Sequence, residues 1–163
     1  MKKLEFFKSR DVRSPERATD KAAGIDFFIP NDAYQYVVEF PPSGKGPAVL
    51  HPGQRITIPS GIYAKLPKNY ALIAMNRSGI SFKKGLTVGA NVIDEDYQGE
   101  IHLHVTNTGD DLAEIEIGEK LVQMLLVPVE YPKLEELSSL EDLYEEKTKR
   151  GSKGFGSSDK NQF

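Results

Sequence analysis

The stretch GANVIDEDYQG, residues 89–99, joins a strand-like apolar pair to three consecutive acids, and a glycine closes each end. Val92 and Ile93 form the pair, residues 94–96 are the acids, and Tyr97 follows at once. An apolar pair is unusual in a solvated loop, and three acidic residues are unusual in a core strand. This stretch, the acidic run, therefore predicts a β-hairpin whose tip carries chemistry.

Short segments on both sides of the acidic run alternate between apolar and polar residues. Successive side chains of a strand point to opposite faces, so alternation predicts half-buried strands. A more continuously apolar segment, residues 121–129, predicts a strand buried on both faces. Turn residues recur every ~8–12 positions, which favours an all-β sandwich or barrel. The alternating segments are residues 55–58, 62–66, 101–106 and 114–117, and residues 40–47 read as a long surface loop.

The C-terminal part of the chain does not show this alternation of apolar and polar residues. Residues 133–149 carry leucines at a spacing of three among acids, which suits either a short amphipathic helix or an extended arm. The pair Ser138-Ser139 is a poor helix centre, which favours the arm. Residues 150–163 are rich in Gly, Ser and Lys and hold too little apolar mass to fold alone. We expect a core over residues 1–132 and a C-terminal arm over residues 133–163.

The amino-acid composition of the chain excludes or disfavours several classes of function. The 163 residues carry a net charge of −3, which disfavours broad nucleic-acid binding. Cysteine is absent, so disulfides and thiolate zinc sites are excluded. No apolar stretch approaches the ~20 residues of a membrane span, and the N-terminus lacks the apolar core of a signal peptide. We expect a cytoplasmic protein, or one of the host cytoplasm if phage-encoded, with no membrane partner.

Four further polar elements lie along the chain. Arg77-Ser78-Gly79 follows an apolar strand-like segment and suits phosphate oxygens, although the motif taken alone favours a capped turn with a surface arginine. Asp26 and Gln123 each stand alone among apolar residues. The glycine-rich tail, residues 150–158, can form an anion-binding nest of backbone amides, with Phe155 available to stack on a base. Composition alone is equally compatible with a solubilising tail.

Together with the acidic run, these elements resemble the trimeric dUTP pyrophosphatase (dUTPase) family, and they occur in its order. They are Ala23-Gly24-Ile25-Asp26, Arg77-Ser78-Gly79, residues 89–99, Gly118-Glu119-Lys120-Leu121-Val122-Gln123, and the tail Arg150-Gly151-x-x-Gly154-Phe155-Gly156-Ser157-Ser158. The resemblance implies a distorted jelly-roll-like β-barrel subunit with a flexible C-terminal arm. It also implies a homotrimer with three active sites, each built from all three chains.

The reaction implied by the resemblance is hydrolysis of dUTP to dUMP and pyrophosphate with Mg²⁺. That reaction limits uracil incorporation into DNA and supplies dUMP for dTTP synthesis. In this pattern Asp94 is the general base for the water that attacks the α-phosphorus, and Asp26 holds the ion's water shell. A carboxylate of ordinary pKa is ionised at pH 7, so acceleration must come mostly from positioning and charge neutralisation.

The resemblance also implies which residues bind the substrate. Asn91 and the backbone near His102 pair with the uracil edge, Tyr97 packs under the deoxyribose, and Phe155 covers the uracil. A tight pocket of this kind rejects the thymine methyl by clash. The residues expected at the phosphates and the water network are Arg77, Ser78, Gly79, Gln123, Arg150, Gly156, Ser157 and Ser158.

The chain departs from the family at Asn76, where proline is usual, and this predicts a looser turn before Arg77. His102 and His104 share a predicted strand face, but no third ligand accompanies them, so a transition-metal site is not favoured. Two alternatives stay open. One is a dCTP deaminase, or a bifunctional deaminase–pyrophosphatase, of the same superfamily. The other is a nucleotide-sensing protein that uses this fold without turnover.

Overall fold

Antiparallel strands make up most of the regular secondary structure in the computed structural model, which describes residues 2–144, 146, 148–149 and 151–152. Two compact units are present, Met1–Glu130 and Tyr131–Phe163, and each is described by itself. The first unit contains all the described strands, as the all-β prediction requires. The predicted division between residues 132 and 133 stays a prediction.

The described strands of the first unit form four small sheets. Their orders are β1-β5, β10-β3, β2-β11-β6-β8 and β4-β9-β7, and every pairing is antiparallel. A short 3₁₀ helix covers Ala33–Gln35, and helix α1 covers Ser78–Lys84. The strands are β1 Glu5–Lys8, β2 Ile25–Phe28, β3 Ala48–Leu50, β4 Arg55–Pro59, β5 Ile62–Lys65, β6 Tyr70–Asn76, β7 Leu86–Val88, β8 Val92–Ile93, β9 His102–Asn107, β10 Ala113–Ile115 and β11 Lys120–Pro128.

The side chains that alternate in the sequence alternate in burial, which is why these sheets share one core. In β4, Ile56 and Ile58 are buried between exposed or half-buried neighbours, and in β9 Leu103 and Val105 are buried in the same way. In β11, the successive residues Leu121 and Val122 are both buried. The predicted half-buried strands and the two-faced burial at the start of β11 are therefore confirmed.

The acidic run has a different pairing from the simple hairpin that its sequence predicts. The arms that pair across it are β7 and β9, with Val88 opposite Val105. Strand β8 lies between these two arms in the sequence but pairs with β6, where Ile93 lies opposite Leu72. Ala90, with φ of +51°, is one of the non-glycine residues that make this change of direction possible. The acids thus follow a strand of one sheet and precede a strand of another.

Three other features lie outside the predicted pattern. Ser78 and Gly79, which are expected to lie in a turn, instead begin helix α1, which ends at Gly85 in the left-handed conformation. Phe40, expected at the edge of a surface loop, is fully buried. The strand β2 was missed because its four residues are all buried, which removes the period-two signal.

The second unit has little regular structure among its described residues. A four-residue helix, α2, covers Leu140–Leu143, and Ser139 caps it by accepting a hydrogen bond from Asp142 N at 3.1 Å. The serine pair therefore marks a helix start, and a continuous amphipathic helix over residues 133–149 is not formed. Across the described part of the chain, no helix has the length and apolar character that crossing a membrane requires.

Asn107 is a fully buried polar residue that ties the end of β9 to its surroundings. Its Nδ2 donates to Leu50 O at 2.9 Å and Asp111 O at 2.8 Å, and its Oδ1 accepts from Gly109 N at 3.0 Å. Asn107→Leu would leave these backbone groups without partners. We expect it to lower the free energy of unfolding by about 2–4 kcal/mol, measured by urea denaturation.

The control for that measurement is Asn31→Ala, because Asn31 is exposed. We expect this variant to unfold within about 0.5 kcal/mol of wild type. Equal stability of Asn107→Leu and wild type would contradict a structural role for the buried amide.

Candidate functional site

Asp26 lies in a strand that is buried along its whole length. The residue is only 4% exposed, so its carboxylate needs compensating partners. Two cations supply them: Arg77 Nε lies 3.0 Å from Oδ1, and Lys120 Nζ lies 2.9 Å from Oδ2. The two oxygens are thereby fixed in position, one toward each cation.

Lys120 links Asp26 to a second acid, Glu16. The Lys120 ammonium lies 3.1 Å from Glu16 Oε1, and the backbones of Glu16 and Asp26 exchange two hydrogen bonds. Hydrogen bonds with Asp26 and Glu16 raise the pKa of Lys120, and the hydrogen bond from Lys120 lowers the pKa of Glu16. Lys120 and Glu16 are therefore both charged at neutral pH.

Arg77 is placed by the end of β6 and the start of α1. Beyond its ion pair with Asp26, its guanidinium donates to Lys120 O at 2.8 Å. Ser78 is the first residue of α1. Next to it, no atom lies within 4 Å of the position that a Cβ on Gly79 would take. The turn therefore presents an arginine, a serine and open space at one surface, as a phosphate-binding site requires.

Gln123 joins this group because β11 pairs with β2. It lies opposite Asp26 in the sheet, and its Nε2 donates to Asn76 O at 2.8 Å. The Gln123 side chain packs directly over Gly24, and a Cβ at that glycine would collide with the amide. A residue with a Cβ at this position would require the Gln123 side chain to move, so the glycine allows the amide to keep this position. We call Asp26, Arg77, Ser78, Gly79, Lys120 and Gln123 the phosphate cluster.

The departure at Asn76 has a structural role. Its Oδ1 accepts a hydrogen bond from Val88 N at 2.7 Å, and its carbonyl accepts the one from Gln123. The side chain therefore ties the end of β6 to the end of β7. The looser turn expected from the absence of proline is offset by this bond.

The acidic run is fixed at two points. Asn91 Nδ2 donates to Ala74 O at 3.0 Å, and Ala74 N donates to Asn91 O at 2.7 Å. Glu95 Oε2 accepts from Asn69 N at 2.6 Å. Asp94, between these anchors, is exposed, and its carbonyl accepts from Tyr97 N at 3.2 Å. Glu95 therefore has a structural role, whereas the Asp94 side chain faces solvent.

The other predicted residues of this region lie close together. Tyr97 folds back over Gly99, and its hydroxyl donates to Glu100 O at 2.9 Å. The His102 ring places Nδ1 2.9 Å from the same carbonyl oxygen. His102 and His104 share one face of β9, as predicted. We call Asn91, Asp94, Tyr97 and His102 the base cluster.

Asp94 and Arg77 lie toward opposite ends of β6, whereas Asn91 lies beside Ala74 within the strand. Asp94 follows Ile93, which pairs with Leu72 near the start of this strand, whereas Arg77 follows its last residue, Asn76. The two backbones are therefore separated by about six strand positions, or roughly 20 Å at 3.3 Å per residue.

Five predicted residues lie outside the described part of the chain: Arg150, Phe155, Gly156, Ser157 and Ser158. Sequence reasoning missed Lys120 and Glu16. The first lay within a quoted motif but was not singled out, and its proximity to Asp26 depends on the pairing of β2 with β11. Nothing in the local sequence around Glu16 signals its bridge to Asp26.

The donor set limits the kind of metal that the phosphate cluster suits. Among the described residues, no group of three or more His, Asp or Glu side chains is placed to hold an ion. The one buried carboxylate, Asp26, already has a cation at each oxygen. The residues therefore fit an ion that keeps its water and is bound mainly by phosphates, which is how Mg²⁺ commonly binds.

Comparison with known proteins gives a consistent result. A family model described as dUTPase matches residues 10–159. The chain is 36% identical over 153 residues to the deoxyuridine 5'-triphosphate nucleotidohydrolase of Mus musculus, covering 94% of this chain and 82% of that protein. Among solved structures, Staphylococcus bacteriophage 80alpha dUTPase with dUPNHPP matches with a TM-score of 0.74 at 23% identity, covering 95% of this chain and 97% of that one.

A second solved structure is a mutant dUTPase from phage phi11 of S. aureus, described with the coordination of a structural Mg(II) ion. It matches with a TM-score of 0.68 at 22% identity and covers 85% of this chain and 99% of that one. At these identities the two structural matches establish the fold. The predicted distorted jelly-roll-like barrel is thereby confirmed.

Proposed function

Since the chain belongs to the dUTPase family, we propose that it hydrolyses dUTP to dUMP and pyrophosphate by attack of water on the α-phosphorus. This reaction limits uracil incorporation into DNA and supplies dUMP for dTTP synthesis. The observation that carries the proposal is the phosphate cluster, in which Asp26 of β2, Gln123 of β11 and Arg77 at the end of β6 come together around one buried carboxylate.

Asp94 is the general base in this proposal. Its carboxylate is exposed at the end of β8, and the turn that holds it is closed by Tyr97 N and anchored through Glu95. An exposed carboxylate on a fixed turn can accept a proton from the attacking water without rearrangement of the chain. Since it is a weak base, correct orientation of that water provides much of its effect.

The phosphate cluster supplies cations and hydroxyl donors to the triphosphate. Arg77 offers a planar guanidinium, and Ser78 and Gln123 offer a hydroxyl and an amide. Lys120 stays with Asp26 when Arg77 turns toward phosphate, so the buried carboxylate keeps one cation. Mg²⁺, when bound, neutralises charge on the phosphate oxygens, and Asp26 would hold its water shell. The Mg(II)-containing phage phi11 relative is consistent with this assignment.

Assembly as a homotrimer with shared sites is part of the proposal. The separation of roughly 20 Å between the Asp94 and Arg77 backbones supports a site that takes Asp94 from one chain and Arg77 from another. An apolar surface supports such contacts, because Phe6 and Phe7 are exposed and border an open groove of about 590 Å³ that also contains Tyr97. In the family pattern, the tail with Arg150 and Phe155 closes a neighbour's site.

Uracil and deoxyribose recognition is assigned to the base cluster. The carbonyl of Asn91 is fixed by Ala74, so this backbone is held in place to pair with the uracil edge, together with the backbone near His102. Tyr97 lies under the sugar in this assignment and leaves no room for a 2′-hydroxyl. A clash in a tight pocket discriminates against a substrate that carries an additional group.

The experiment is pyrophosphate release from dUTP, dTTP, UTP and dCTP with Mg²⁺ present. We expect release from dUTP at least about 10²-fold faster than from the other three, because each competitor adds a group that the pocket rejects or lacks the matching base edge. Chelation of the metal with EDTA should abolish release, and added Mg²⁺ should restore it. Ammonia released from dCTP would instead indicate a deaminase, and dUTP binding without release would indicate a sensor.

A further inference from the structure

Arg10 lies at the centre of a polar network that connects three segments distant in sequence. Its Nη1 donates to Glu100 Oε1 at 2.8 Å, its Nη2 donates to Pro59 O at 2.7 Å, and its Nε forms an ion pair with Asp32 Oδ2 at 2.8 Å. The guanidinium also lies 4.7 Å from the centre of the Tyr36 ring. The two Nη groups are hydrogen-bonded, whereas the buried Nε pairs with Asp32 by charge and makes no hydrogen bond, and none of these partners belongs to the phosphate cluster.

The segment that supplies Asp32 and Tyr36 is held firmly to the core. Ala33, Val37 and Phe40 are all buried in the same core cluster as the strands. Burial lowers the pKa of the Arg10 guanidinium, and the neighbouring Glu100 and Asp32 carboxylates more than offset it, so that the pKa lies above its ordinary value. Arg10 is thus a permanently charged anchor on a rigid support.

Glu100 connects Arg10 to Tyr97, which belongs to the base cluster. Its Oε1 accepts hydrogen bonds from Arg10 and from Gly61 N, and its carbonyl accepts the Tyr97 hydroxyl at 2.9 Å. Tyr97 otherwise rests on Gly99, where a side chain would collide with its ring. The position of the Tyr97 ring therefore depends on the position of the Glu100 backbone carbonyl. Arg10 helps to fix this backbone because it binds the Glu100 side chain.

We propose that Arg10, acting through Glu100, is a positioning residue that holds Tyr97 in place and thereby sets discrimination between deoxyribose and ribose substrates. This inference rests on the proposed function, in which Tyr97 packs under the sugar. It assigns a role to the segment around Asp32 and Tyr36, which contacts the arginine through an ion pair and an aromatic ring. A displaced Tyr97 would open space for a 2′-hydroxyl while leaving Asp94 and the phosphate cluster intact.

The test is kcat/KM for dUTP and UTP in Arg10→Gln, Arg10→Lys and wild type. We expect Arg10→Gln to lower the dUTP-to-UTP ratio by about fivefold to tenfold, because a charge-assisted hydrogen bond is lost. Arg10→Lys keeps the charge and should restore part of the ratio. The matched control is Arg55→Gln, since Arg55 is an exposed arginine on β4 and should leave the ratio unchanged.

A double-mutant cycle with Tyr97→Phe separates positioning from general destabilisation. Tyr97→Phe removes the hydroxyl that binds Glu100 O, so Arg10→Gln should have little further effect on the ratio in that background. Glu100→Gln, which keeps the backbone carbonyl but weakens the pairing with Arg10, provides a second variant if Arg10→Gln folds poorly. It should lower the ratio in the same direction.

Equal losses for dUTP and UTP, or additive effects of Arg10→Gln and Tyr97→Phe, would overturn the inference. So would an unchanged ratio in both Arg10→Gln and Glu100→Gln. These results differ from failure of the proposed function, in which wild type itself would release no pyrophosphate from dUTP.

Discussion

Asp94→Asn should reduce kcat for dUTP by about 10²–10⁴-fold, the usual contribution of a positioned general base. The Asp94 side chain is exposed, and the turn around it is held by backbone and by Glu95, so the amide can take its place without unfolding. Binding of a non-hydrolysable dUTP analogue, measured by calorimetry, should stay close to that of wild type. Circular dichroism should show the same β-rich spectrum.

The matched control for this prediction is Asp96→Asn, two residues further along the same exposed run. It removes the same charge and should leave kcat within about twofold of wild type. Similar losses in both variants would show that the acidic run acts through its overall charge. Full activity of Asp94→Asn would exclude it as the base.

Mixing two inactive variants should restore activity if each site takes Asp94 and Arg77 from different chains. Arg77→Gln should lower kcat/KM for dUTP by about 10²-fold, because a cation facing the triphosphate is lost. In co-expressed assemblies of Asp94→Asn and Arg77→Gln chains, some sites receive both wild-type residues. With equal, random mixing this fraction is about one quarter, since each of two chains must be of the right kind.

The measurement uses chains with different affinity tags, so that mixed assemblies are isolated before pyrophosphate release is assayed. The control replaces one partner by a chain carrying both substitutions, which cannot contribute a wild-type pair and should restore nothing. An inactive mixed assembly, with both tags present, would refute the division of the site between chains.

Sequence reasoning predicted well the features that depend on the order of neighbouring residues. Alternating segments such as residues 55–58 and 101–106 became β4 and β9, because half-burial leaves a period of two in the sequence. Asp26 and Gln123 were each singled out as lone polar residues among apolar ones. The pairing of β2 with β11 places them opposite one another.

The features that sequence reasoning missed depend on tertiary contacts. Asn76 was judged by the proline it replaces, but its effect comes from Val88, twelve residues away. The acidic run was read as a local hairpin, whereas β8 pairs with β6 across the sheet. Helix α1 was missed because the glycine and two serines of its sequence, SGISFKK, are weak helix formers, so its position depends on packing of Ile80.

Strand β6 does not contact the substrate in the proposed arrangement. Its length nevertheless determines the distance between Arg77 of one catalytic centre and Asp94 of the neighbouring one. It carries the arginine of one centre at its end and aligns the aspartate of another near its start. Inserting or deleting one residue would shift the spacing by about 3.3 Å and turn every later side chain to the opposite face. Evolution can therefore vary the residues of this strand more freely than it can vary their number.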